Sequence, residues 1–129
     1  MIGKNKKVGI ITAREKHLIQ GDFLENAGID SSIPIAVGGL ENSEEFYDGY
    51  ITLKKKDIDI KKLEKEVVNT AQELLKKNKD IGAFVFECSD IPTFAKATSE
   101  ATGLPVFDFI SFAHLVYWAL IPRCYSGFM

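Results

Sequence analysis

Cysteine and histidine are scarce in this chain, with two of each, and the scarcity removes several classes of protein at once. There is no dense disulfide framework of the kind a small secreted scaffold needs, although Cys88 and Cys124 are in principle able to pair. With His17 and His114 far apart and no Cys-x-x-Cys, structural zinc has no ligand set, and no metal site is expected. Met1 to Lys7 is polar and basic and lacks the apolar core of a secretory signal, so the default location is cytoplasmic. Phe107 to Pro122, the longest apolar-rich stretch, is broken by Asp108, Ser111 and His114 and is too short to read as a membrane span. A basic surplus is missing as well. The formal charge is −2, which gives no general attraction to nucleic acid or to an anionic membrane, and neither is an expected partner. Gly38-Gly39 lacks the full Gly-x-Gly-x-x-Gly spacing, which discounts a dinucleotide cofactor and leaves a plain turn as the simpler reading.

What is present is an ordinary globular composition, 46% hydrophobic and 26% charged over 129 residues, enough for one domain that buries a core without staples. Four short apolar runs read as strands: Val8 to Ile11, Ile33 to Val37 with Pro34 at its beginning or at an edge, Ala83 to Phe86, and Pro105 to Phe107. Between them lie helical patterns. Leu18, Phe23, Leu24 and Ala27 have helical spacing, closed by Gly28. Residues 60 to 78 form the clearest helix, capped by Asp59 or Asp57, with Leu63, Val67, Ala71, Leu74 and Leu75 in one stripe. A further helix carries Phe94, Ala97 and Ala101 on one face and stops at Gly103. Glu41 to Tyr50 reads as a short helix or irregular connection whose aromatics, Phe46, Tyr47 and Tyr50, either cover a pocket or pack on the sheet. Lys4, Lys6, Lys7 and Lys54 to Lys56 look like solvated flanks. The alternation predicts an α/β domain, three layers about a short, mainly parallel, four-stranded sheet. Ligands of such sheets gather beyond the carboxyl ends of the strands, here Thr12, Gly38, Cys88 and Asp108.

The stretch most suggestive of chemistry is Gly82 to Pro92. Its apolar run stops at Cys88, and Ser89 or Asp90 is placed to cap a helix that tolerates Pro92 in its first turn. A thiol in that turn faces free backbone N–H groups and the positive end of a helix, which favour an anion, either the thiolate or a bound carboxylate. The same pattern suits a small buried residue with no chemistry. Glu87 and Asp90, where they lie close to the sulfur, oppose thiolate formation.

The segment Gly82 to Asp108, with Glu-Cys-Ser-Asp-Ile-Pro and Ala-Thr-Gly-Leu-Pro-Val-Phe-Asp, resembles the second half of the aspartate/glutamate racemase superfamily, which includes hydantoin racemases. Lys7 to Ala13 is similar to the strand that opens that half. The resemblance implies a single racemase-like lobe over residues 1–129. In the family two such lobes face each other, each supplies one acid/base cysteine, and no cofactor is required. On this basis Cys88 is the expected catalytic thiol, with Thr12, Ala13, Ser89 and Asp90 at the site of a small carboxylate or amino-acid ligand. Arg14 is a candidate partner for a distal carboxylate. Nothing here matches the first-lobe cysteine motif, and Cys124 is no convincing substitute. The second acid is therefore expected from a homodimer or from a separate first-lobe partner, packed against the C-terminal helix and tail at 109–129. Helix Ile110 to Ile121, apolar around most of its circumference, agrees with such a partner. Within it, His114 reads better as a core or interface residue than as a ligand. Two alternatives stay open: a non-catalytic carboxylate-binding module, and a folded remnant without activity.

Overall fold

Four parallel strands form the sheet of the computed structural model, which describes residues 5–121 and residue 127. They are β1 (Lys7–Thr12), β2 (Ile35–Gly39), β3 (Ile81–Phe86) and β4 (Val106–Phe107), in the order β2-β1-β3-β4. The helices are α1 (Glu15–Gln20), α2 (Phe23–Asn26), α3 (Glu44–Phe46), α4 (Ile60–Lys77), α5 (Ala95–Thr102) and α6 (Phe109–Leu120). A π-helical turn, Tyr47–Ile51, continues α3, and a 3-10 turn, Pro92–Phe94, leads into α5. The chain steps outward from β1 to β2, then returns across β1 to β3 and β4. With right-handed crossovers this puts α1 and α2 on one face of the sheet and α4 and α5 on the other. The α/β class and the four strands are as the sequence predicts, and every strand pair is parallel.

The core lies between the sheet and α4. Leu63, Val67 and Ala71 of that helix are fully buried against Ile11, Phe84 and Phe86 of β1 and β3, and Phe94 closes the same cluster. Gly9 is required where Phe84 crosses β1, because a Cβ there would sit 2.7 Å from the ring. Asp59, rather than Asp57, caps α4, accepting from the N–H groups of Lys61 and Lys62 at 3.0 and 3.1 Å. α5 stops at Gly103, whose φ of +70° is the left-handed conformation that favours glycine.

Several local expectations are corrected. The predicted helix after β1 is two short ones, broken at Gly21, where extended backbone lets Phe23 turn back to pack edge-on against His17 at 5.2 Å. Gly38 and Gly39 lie inside β2 instead of turning after it. The buried face of the Pro92–Thr102 segment is Phe94 and Thr98, while Ala101 is exposed. Lys55 is not a solvated flank: it pairs with the buried Glu45 carboxylate, which also accepts from the Asp59 N–H at 3.2 Å. The Lys55 hydrogen bond is the largest influence holding the Glu45 carboxyl below the usual carboxylate range. α6 begins at Asp108 with a reciprocal cap, Asp108 and Ser111 each bonding the other's backbone N–H. Every residue of α6 is exposed. Cys124 and the rest of the tail at 122–126 and 128–129 lie outside the described residues.

Candidate active site

β1 leads leftward in the sheet and β3 rightward, so the carboxyl ends of these two neighbours mark the switch point where a parallel sheet opens a crevice. Thr12 ends β1 and Glu87 follows β3. The Glu87 N–H donates to the Ile11 carbonyl at 3.0 Å, extending the strand pairing by one step. The Thr12 hydroxyl, 3% exposed, donates to Glu87 Oε2 at 2.7 Å. This bond fixes the position of a carboxylate at the mouth of the crevice.

Cys88 comes next, 8% exposed, and its Sγ donates to Asp90 Oδ2 at 3.7 Å. Burial is the main cause that pushes the thiol up to about 11. The Asp90 N–H favours the anion, but the negative charges of Asp90 and Glu87 and the bond from sulfur to Asp90 oppose it. The thiol is thus protonated at neutral pH, contrary to the anion-favouring turn read from the sequence. The physical reason is the burial of the sulfur, with the charges of Asp90 and Glu87 beside it. Neither Ser89 nor Asp90 caps the helix that follows: the 3-10 turn starts at Pro92 behind Ile91, with no side-chain cap, and α5 begins only at Ala95.

Around the crevice stand residues from three segments. A cleft of about 460 Å³ is lined by Thr12, Ala13 and Arg14 after β1, His17 and Phe23 on α1 and α2, Tyr50 and Ile51 of the π-helical turn, and Glu87. Tyr50 stacks on the buried Phe46, ring centres 5.3 Å apart. Burial, followed by the charges of Asp90 and Cys88, raises its phenol above the usual value, so Tyr50 keeps its proton as a donor. Of the sequence candidates, Thr12, Ala13 and Arg14 line the cleft, while Cys88 lies beside the cleft and not in its lining. Ser89 and Asp90 are exposed, and Asp108 is occupied in capping α6. Sequence reasoning does not place Glu87 against a ligand, and it leaves Tyr50 open between covering a pocket and packing on the sheet. For Glu87 a signal existed, its place directly before Cys88 at the strand end. Tyr50 had only the weaker hint of an aromatic cluster.

A larger cleft, about 730 Å³, runs along β2 and α4 past Gly38, Glu66, Asn69 and Lys77. Cys88 is not among the residues that line it, and Glu66 is already engaged there by the N–H groups of Glu45 and Phe46 at 3.0 and 3.1 Å. Among the described residues no group of three or more His, Cys, Asp or Glu is placed to hold a metal ion, and no helix is long and apolar enough to cross a membrane.

Comparison with solved structures finds the fold similar to that of allantoin racemase from Pseudomonas fluorescens, with a TM-score of 0.57 and 17% identity, over 99% of this chain and 55% of that one. The fold is that of a racemase lobe. No protein-family profile matches the chain. A dimethylsulfoniopropionate lyase from Durusdinium sp. clade D is 28% identical over 115 residues, covering 84% of this chain and 36% of the lyase. The chain spans about a third of the length of that curated relative and about half of the racemase.

Proposed function

We propose that this chain is one lobe of a protein related to the aspartate/glutamate and hydantoin racemases, in which Cys88 moves a proton at the α-carbon of a small carboxylate. The observation that carries the reading is the placement of Cys88: a protonated thiol at the β1/β3 switch point, beside a cleft, on a racemase-lobe fold. In the proposed reaction one thiolate takes the α-proton, leaving an enolate-like carbanion, and a thiol on the opposite face delivers a proton to the same carbon. Cys88 in the state described here is suited to the delivering step, since it holds its proton at neutral pH. To act as the base it has to be deprotonated in the assembled site, where donors stabilise the carbanion as it forms. The Tyr50 hydroxyl is one such donor within this lobe. No step calls for a cofactor.

The opposing acid has to come from a second lobe or a second copy of the chain. The surface of α6 supports an assembly. Phe109, Phe112, Leu115, Tyr117 and Leu120 are each more than half exposed. With their neighbours they present on the order of 1,000 Å² of apolar surface, at about 150–250 Å² for each aromatic side chain. That exceeds the largest patch of a typical monomer, about 300–600 Å², and approaches what one partner buries in a standard interface, about 800 Å².

A second reading, a carboxylate-binding module without turnover, is favoured by one observation: Cys88 does not line the cleft. Chiral chromatography of a panel of L- and D-amino acids and hydantoins, incubated with the chain over a range of concentrations, separates the two. Interconversion that rises with assembly and disappears in Cys88→Ala supports the racemase reading. Binding that persists in Cys88→Ala, with no interconversion at any concentration, supports the module.

A further inference from the structure

The cleft beside Cys88 carries one charge of each sign, and they are not spent on each other. Arg14 and Glu87 both line it. Yet no ion pair joins Arg14 to Glu87 or to any other carboxylate among the described residues. Glu87 Oε2 is held by the Thr12 hydroxyl at 2.7 Å, and the described residues offer no donor to Oε1. A cleft lined by Arg14 and Glu87 with no ion pair between them matches a ligand that is itself bipolar. The same cleft is lined by the rings of Tyr50 and Phe23 and the aliphatic side chain of Ile51, a lining that suits the weakly hydrated head of an alkylated cation better than a second carboxylate.

We infer that the cleft selects a small carboxylate bearing a cationic onium head, its carboxylate on Arg14 and its head against Glu87 and Tyr50, with Glu87 as the residue that sets the charge preference. The inference rests on the proposed site and names its substrate class. Dicarboxylates are disfavoured, because Glu87 and Asp90 already make the neighbourhood of the thiol negative. An onium head at Glu87 offsets that field, and so favours release of the Cys88 proton when ligand is bound, since both carboxylates hold the thiol pKa up in the empty site. The similarity to a lyase named for dimethylsulfoniopropionate, itself a sulfonium carboxylate, points the same way.

The test is a calorimetric titration of the full chain with three probes of matched length: 3-(trimethylammonio)propionate, its uncharged-head isostere 4,4-dimethylpentanoate, and glutarate. The expected result is that the ammonio probe binds about fivefold more tightly than the isostere, the scale of one partly exposed charge or cation–π contact, with glutarate weakest. Glu87→Gln removes the preference, whereas Arg14→Gln weakens both monocarboxylates alike and preserves it. Equal affinity for probe and isostere overturns the inference, as does a preference that survives Glu87→Gln, or no binding of any probe at millimolar concentration. Cys88→Ala is expected to keep the preference. If selectivity holds while turnover is absent, the racemase reading fails alone; if turnover is found without selectivity, only this inference fails.

Discussion

At the scale of single residues the account turns on Cys88 and the two carboxylates that flank it. Asp90 accepts from the sulfur, and its charge disfavours the thiolate. Asp90→Asn is therefore expected to lower the thiol pKa and to speed alkylation of Cys88 by iodoacetamide at pH 8, read on the Cys88 peptide by mass spectrometry. An unchanged or slower rate contradicts the electrostatic assignment. The same shift has a consequence for stability. The folded thiol keeps its proton to about 11 against an ordinary 9.0, so the folded state binds more protons than the unfolded chain between those values. Stability is full below pH 9 and declines as pH rises towards 11, by on the order of 2 kcal/mol from this group. Denaturant titrations at pH 8 and 11 should show the decline, and Cys88→Ala should remove that part of it.

At the scale of elements, caps and buried stripes decide what holds. Asp59→Ala removes an acceptor of two N–H groups at the start of α4 and is expected to cost about 1 kcal/mol, with Asp57→Ala near neutral in the same urea titration. Leu63→Ala, at a position with no exposed surface, should cost about 2–5 kcal/mol. These elements were legible in the sequence because their signals are local: the stripe of α4, the stops at Gly28 and Gly103, and the apolar runs of β1 and β3 each lie within a few residues. What failed was set by which side chains meet once the chain turns. The break at Gly21 depends on Phe23 meeting His17, and Lys55 reads as a surface charge until Glu45 is seen buried beside it. The Cys88 turn shows both cases. The strand, the thiol and Pro92 at the start of a helical turn were readable, but the sulfur's electrostatics depend on how deeply it is buried and on how close Asp90 and Glu87 lie. Thr12 bonding Glu87 across the sheet needs the β1/β3 register, which no local pattern encodes.

For the whole molecule, α6 is the element least accounted for by the chain itself. If it is an assembly surface, sedimentation velocity should show mass rising with concentration across the micromolar range. Charges introduced at Phe112 and Leu115, both about two-thirds exposed, should return the chain to monomer without loss of helical circular dichroism. A monomer at all concentrations in the unaltered chain contradicts self-assembly and leaves a separate partner as the source of the second acid. The proposed chemistry depends on a second lobe or a second copy of the chain to supply the opposing acid.

The most direct measurement is α-proton exchange in deuterated water, followed by NMR on small carboxylates, including the ammonio probe and amino acids of both hands, with the unaltered chain and Cys88→Ala in parallel. The account predicts deuterium at the α-carbon with the unaltered chain and none with Cys88→Ala. Inversion should accompany exchange at a stereocentre only where assembly supplies the opposite face. Exchange at equal rates in both proteins, or none in either under assembling conditions, contradicts the assignment of Cys88 as the proton carrier.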